Sequence, residues 1–164
     1  MASRRRGSSG SQWSEVRRLV ASWFGSGLVL GAVRGDHAGS GTIGAAVALP
    51  LAWWLNTFGW WACAIGAVVV TGLSVWSARP FAADGEDPAW IVVDEAAGTL
   101  VASVGLGGAA LFLAWVVFRI ADASKRFPGV AAAERLPGAV GVTADDVVAG
   151  LWALAAGWVF TLLV

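Results

Sequence analysis

Charge is scarce in this chain: 13% of its 164 residues are Asp, Glu, Lys or Arg, and eleven acids balance eleven bases to zero net charge. A nucleic-acid partner needs a basic excess, so no nucleic acid is expected. The single Cys63 cannot form an internal disulfide, and it lacks the Arg six residues on that a phosphate-cleaving cysteine loop uses. It is expected as a small buried residue. One histidine, His37, cannot build a His-ligated metal site, and it rules out lipid phosphatases that need one histidine as nucleophile and another as acid. Tyrosine is absent while tryptophan occurs eleven times.

What is present is apolar: 57% hydrophobic residues with a mean hydropathy of +0.70. That excludes disorder and speaks against a water-soluble monomer; one all-helical domain in a bilayer is the natural expectation at this length. Residues 1–11 read as a mobile, basic N-terminus and 12–164 as a single membrane-embedded domain. From Gln12, Trp13, Val16, Val20 and Trp23 recur at helical spacing among Ser14, Glu15, Arg17 and Arg18, predicting a basic amphipathic helix at a membrane surface or a first core helix. Charges interrupt this segment, so a cleaved secretory signal is not expected. The glycine-rich stretch Gly25 to Ser40 reads as a loop.

Four apolar stretches follow: Ile43 to Phe58, Trp60 to Trp76, Ile91 to Phe118 and Val147 to Val164. Asn56-Thr57 with Gly59 marks a reversal between the first two, flanked by Trp53, Trp54, Trp60 and Trp61, whose indoles suit the headgroup zone. In the third, Gly105-Leu106-Gly107-Gly108 divides the run into helices expected at 88–104 and 109–121. The sum is an all-α, membrane-embedded helical bundle of about six helices, one amphipathic and about five in the membrane. Arg4, Arg5, Arg6, Arg17 and Arg18, with Arg119, Lys125, Arg126 and Arg135, place both the N-terminus and the loop after residue 118 in the cytoplasm.

The few charges cluster. Asp94 and Glu95 lie inside an apolar run, where an ionised pair costs several kcal/mol unless compensated, so both are functional candidates. On this topology they sit about 10 Å along their helix and floor a cavity open to the cytoplasm. Arg119, Asp122 and Lys125 follow at i, i+3, i+6, then Asp145-Asp146. Carboxylates beside cations suggest an oxygen-ligated divalent metal, with Mg2+ the best fit, next to an anion bound by Arg119 and Lys125, the latter the only lysine. Structural alternatives stand beside this: Asp145-Asp146 with Thr143 capping the last helix, and Arg119 with Asp122 as a helical ion pair. Gly41-Thr42-Ile43-Gly44 opens a helix whose N–H groups can receive phosphate, or is a Thr cap.

The motifs Phe24-Gly25-Ser26-Gly27, Gly41-Thr42-Ile43-Gly44, Ile91 to Gly98, Phe118 to Lys125 with Pro128, and Gly138 to Gly150 resemble, in order, those of the phosphatidylglycerophosphatase A family, over roughly residues 23–151. The resemblance implies a Mg2+-dependent lipid phosphatase of the inner, cytoplasmic membrane that converts phosphatidylglycerophosphate, its phospholipid substrate, to phosphatidylglycerol in phospholipid biosynthesis. It also implies a polar central helix, here the one carrying Asp94 and Glu95. The chain departs from the family pattern in its longer Val29 to Ser40 link and at Arg126 and Gly129. On this reading Asp94, Glu95 and Asp146 hold Mg2+, Asp122 and Asp145 orient water or complete the shell, and Arg119, Lys125, Gly41 and Thr42 hold substrate phosphates.

The rival from another class is a non-catalytic channel, transporter or assembly subunit whose embedded acids line a pore. A CDP-alcohol phosphotransferase is disfavoured because its motif does not follow Asp84-Gly85. A homo-oligomer is left open.

Overall fold

A computed structural model describes residues 8–82 and 88–164. Most of the basic N-terminus, residues 1–7, and the Asp84-Gly85 dipeptide lie outside the described residues. Among the described residues every regular element is helical: α1 (Ser8–Ala21), a 3-10 turn (Ser26–Leu28), α2 (Val29–Arg34), α3 (Ser40–Asn56), α4 (Trp60–Ala78), α5 (Val93–Ala102), α6 (Gly108–Ser124), α7 (Val130–Glu134) and α8 (Ala139–Leu163).

Among the described residues there are eight α-helices where about six were expected, and the extra two come from segments rich in turn residues. Gly25 to Ser40 is not a loop: its glycines supply left-handed turns at Gly25 (φ 90), Gly35 (φ 79) and Gly39 (φ 87), while Val29–Arg34 between them is helical. Gly129 opens α7 with a left-handed turn (φ 87), and Gly138, also at positive φ (57), precedes α8. His37 joins this region through Nδ1, 3.1 Å from the Gly27 carbonyl, a structural contact. The last helix starts at Ala139, eight residues ahead of expectation, and Thr143 Oγ1 donates back to the Ala139 carbonyl. Asp145 and Asp146 thus lie in the second turn of α8 and are not its cap.

α4 and α8 are long and apolar enough to cross a membrane, and the α1–α2 pair, bent by 82°, is a third candidate only if counted as one broken span. This is fewer than the five membrane helices expected. α3 and α6 have 17 residues each, about 25 Å, and fall short of a hydrocarbon core of about 30 Å. Apolar residues cover the outside, among them Ile65, Val68, Val69, Phe112, Leu151 and Val159, as in a protein embedded in lipid.

Inside, α5 is buried along most of its length and packs against α3, α4, α6 and α8. Small residues permit this. A Cβ on Gly98 would come 2.8 Å from the Asp146 carbonyl, and one on Gly150 would come 2.6 Å from the Gly98 carbonyl, so the two glycines let α5 and α8 touch backbone to backbone. Ser74 and Thr143 share a 2.6 Å hydrogen bond between α4 and α8. Buried Cys63 packs in the same core, its Sγ 3.5 Å from the Leu100 carbonyl.

The chain reverses between α5 and α6. Asn56 Nδ2 donates to the Ala52 and Ser103 carbonyls at 3.0 and 2.8 Å, its Oδ1 accepts from Gly105 N at 2.9 Å, and Trp158 Nε1 donates to the Val104 carbonyl at 3.2 Å. The α3–α4 and α5–α6 turns are thereby fastened at one end of the bundle. Gly41 lies fifteen residues back along α3 from Asn56, about 22 Å away.

Candidate active site

The start of α3, the start of α5, the end of α6 and the second turn of α8 meet at the opposite end. Val92 N bonds to the Ala21 carbonyl at 2.9 Å, so the end of α1 fixes where α5 begins. In the first turn of α5, which begins at Val93 and not at the expected 88, Asp94 is buried and Glu95 half-buried. The Gly98–Gly150 crossing brings α8 against this turn. Asp94, Glu95 and Asp146 then each offer one carboxylate oxygen within 4.8 Å of the others.

Adjacent Asp145 turns elsewhere, because neighbouring helical residues point about 100° apart. It pairs with Lys125, whose Nζ also donates to Asp122 Oδ1 at 3.0 Å. Arg119 Nη1 donates to Asp122 Oδ2 at 2.7 Å, so the helical ion pair considered from the sequence exists inside the larger cluster. Arg119 Nη2 reaches Thr42 Oγ1 at 3.4 Å, and a Cβ on Gly41 would overlap the Glu95 carboxylate and approach Nη2 to 3.1 Å. Thr42 is not the α3 cap, since Gly39 holds that position. All nine residues singled out from the sequence therefore lie in one connected cluster.

Lys125 ends α6 in a left-handed conformation (φ 53), an uncommon state for a side-chain-bearing residue that its ion pairs hold in place. Burial alone would lower the ammonium's pKa; the Asp145 and Asp122 carboxylates outweigh it and raise Lys125 above the ordinary lysine range. Glu134, not assigned to the site from the sequence, lies 3.9 Å from the same Nζ. Nothing in its local sequence marks it, because α7 brings it there.

A divalent cation fits this donor set. Glu95 Oε2, Asp145 Oδ1 and Asp146 Oδ1 are buried without a hydrogen-bond partner among the described residues. Among the described residues the carboxylates of Asp94, Glu95, Asp122, Asp145 and Asp146, when ionised, face two cations, Arg119 and Lys125, an imbalance that a low-dielectric interior does not sustain unaided. The donors are oxygens, which suits a hard ion such as Mg2+ over soft metals.

Fold and site together define an all-helical membrane protein with a carboxylate centre able to hold a metal ion next to an arginine and a lysine. Residues 19–161 match the sequence model of the phosphatidylglycerophosphatase A family, and the chain belongs to that family. It is accordingly a phosphoric monoester hydrolase, which sets aside the channel or assembly-subunit reading. No curated protein or solved structure matches the chain.

Proposed function

We propose that the chain is a Mg2+-dependent lipid phosphatase that hydrolyses phosphatidylglycerophosphate to phosphatidylglycerol and phosphate in phospholipid biosynthesis, with its site facing the cytoplasm. The observation that carries this reading is the convergence of the Asp94, Glu95 and Asp146 carboxylates, with Glu95 and the Arg119 guanidinium both beside Gly41 at the start of α3. The arginine distribution supports the cytoplasmic orientation.

In this mechanism Asp94, Glu95 and Asp146 hold Mg2+. When bound, Mg2+ supplies Lewis-acid polarisation of a phosphoryl oxygen and neutralises developing charge. Arg119 donates to the terminal phosphate, and Asp122 fixes that guanidinium from behind. Gly41 and Thr42 receive the phosphate at the start of α3, where the positive end of the helix dipole favours an anion, the Thr42 hydroxyl lies 3.4 Å from Arg119 Nη2, and the missing side chain of Gly41 leaves room beside Glu95. Lys125 adds positive charge toward the substrate phosphates while its ion pairs hold Asp145 and Asp122 in register. Asp145, whose Oδ1 is unpartnered, orients the attacking water or completes the shell.

Purified protein is expected to release phosphate from phosphatidylglycerophosphate in mixed micelles with Mg2+ and to stop when EDTA is added. Absence of phosphate release over a range of divalent cations would refute the proposal.

A further inference from the structure

Lys125, the only lysine in the chain, ends α6 in a left-handed conformation where a helix stop alone would be met by glycine. Its backbone N–H donates to the Ala121 carbonyl at 3.0 Å and closes the helix. Its side chain returns to the bundle, where Nζ meets Asp122 Oδ1 of the same helix at 3.0 Å, Asp145 Oδ2 of α8, and Glu134 Oε1 of α7 at 3.9 Å. The Asp122 and Asp145 side chains are 11% and 6% exposed, so water does little for them and a cation must compensate their charge.

These acids adjoin the candidate metal trio. Asp122 bridges Lys125 to Arg119, the Arg119 guanidinium and Glu95 both border Gly41, and Asp145 precedes Asp146 in the chain. Asp122 and Lys125 are also within electrostatic reach of Asp146. Phosphoryl-transfer sites commonly set two divalent ions side by side, clamping the attacking and leaving oxygens between them. Here, among the described residues, acids converge closely enough for a metal ion at Asp94, Glu95 and Asp146, whereas the neighbouring carboxylates close on an ammonium. A divalent ion could join Asp122 and Asp145 only by expelling Nζ or by standing against it, like charge on like. Asp145 keeps a second buried oxygen, Oδ1, without a hydrogen-bond partner among the described residues, so ligand oxygens for an ion are at hand once the ammonium is gone.

We propose that the Lys125 ammonium is a built-in second cation. It occupies the position between Asp122 and Asp145 that a second divalent ion would take, so the chain holds a single metal ion and Lys125 supplies the other positive charge to the substrate phosphates. This rests on the metal-dependent phosphatase reading above and specifies how many ions that site holds.

The test counts ions, not turnover. Mn2+ bound per chain is measured from the electron paramagnetic resonance signal of the free ion, on the full-length protein in uncharged detergent. At saturation the wild type is expected to hold one Mn2+, Lys125→Ala two, and Lys125→Arg, which returns a cation to the position, one. Lys125→Gln, equally uncharged, should also hold two and decides the matter if the alanine variant does not fold. Two ions in the wild type overturn the proposal whatever the variants do, as does a single ion in the uncharged variants or a second ion in Lys125→Arg. No bound Mn2+ in the wild type overturns the metal centre itself, and this proposal with it. A wild type that binds one Mn2+ yet releases no phosphate from phosphatidylglycerophosphate leaves the ion count standing and refutes the lipid-phosphatase reading alone.

Discussion

Gly98→Ala should damage the carboxylate centre from one turn away. The backbone there is helical, so propensity alone favours alanine by about 1 kcal/mol. Space opposes it. The new Cβ would sit 2.8 Å from the Asp146 carbonyl, against 3.4–4 Å for ordinary contact, and would overlap the ring of Phe118, which is fully buried. α5 must then move from α8 by about 1 Å, and overpacking of this kind costs about 1–3 kcal/mol. Set against the propensity gain, the net destabilisation is about 0–2 kcal/mol, a melting shift of a few degrees. The same displacement separates Asp94 and Glu95 from Asp146, and misplacement by about 1 Å costs about a hundredfold in rate. Phosphate release at saturating substrate, titrated with Mg2+, is expected to show that loss together with a raised half-saturating Mg2+ concentration. Gly72→Ala on α4, where a Cβ meets nothing within 4 Å, serves as the neutral control. A Gly98→Ala variant with wild-type turnover and unchanged Mg2+ dependence would refute the reasoning.

Further expectations separate stability from chemistry. Asn56→Leu removes three hydrogen bonds at the far turns and should cost about 2–3 kcal/mol, lowering the melting temperature while kcat measured below the transition is retained. Lys125→Gln should lower kcat/KM much more than stability. Because the folded pKa of Lys125 is raised, its stabilising contribution is fully present below the ordinary value of 10.5 and is lost only as pH rises beyond it. The melting difference between wild type and Lys125→Gln should therefore be constant from about pH 7 to about pH 9; a difference that vanishes in that window would contradict the assignment. In a Cys63→Ala background, cysteines at 124 and 140 should label from the cytoplasm and one at 106 only from the far side or not at all. Labelling of 124 and 140 from opposite faces would break the single-site geometry.

Much of this was legible in the sequence because burial of charge in apolar sequence is a strong signal. Asp94-Glu95, Arg119 to Lys125 and Asp145-Asp146 stand out against their surroundings, and all converge. The reversals at Asn56 and Gly105 were marked by turn residues. Less legible was glycine, which signals both loops and close helix contact: at Gly25, Gly35 and Gly39 it makes left-handed turns around a short helix, whereas at Gly98 and Gly150 it permits packing. The early start of α8 was hidden because Ala139-Val140-Gly141-Val142 carries no capping side chain. Nothing local tells Asp145 from Asp146; the packing of α8 against α5 and α6 does so.

The central claim, that the Asp94, Glu95 and Asp146 carboxylates hold the metal ion on which phosphate release depends, is tested most directly by titrating phosphatidylglycerophosphate hydrolysis with Mg2+ in wild type, Glu95→Gln and Asp146→Asn. Turnover is expected to fall by two or more orders of magnitude in both variants, the scale of lost charge-stabilising groups, with the half-saturating Mg2+ concentration raised wherever residual activity is measurable. Full turnover in both variants at the wild-type Mg2+ requirement would contradict it.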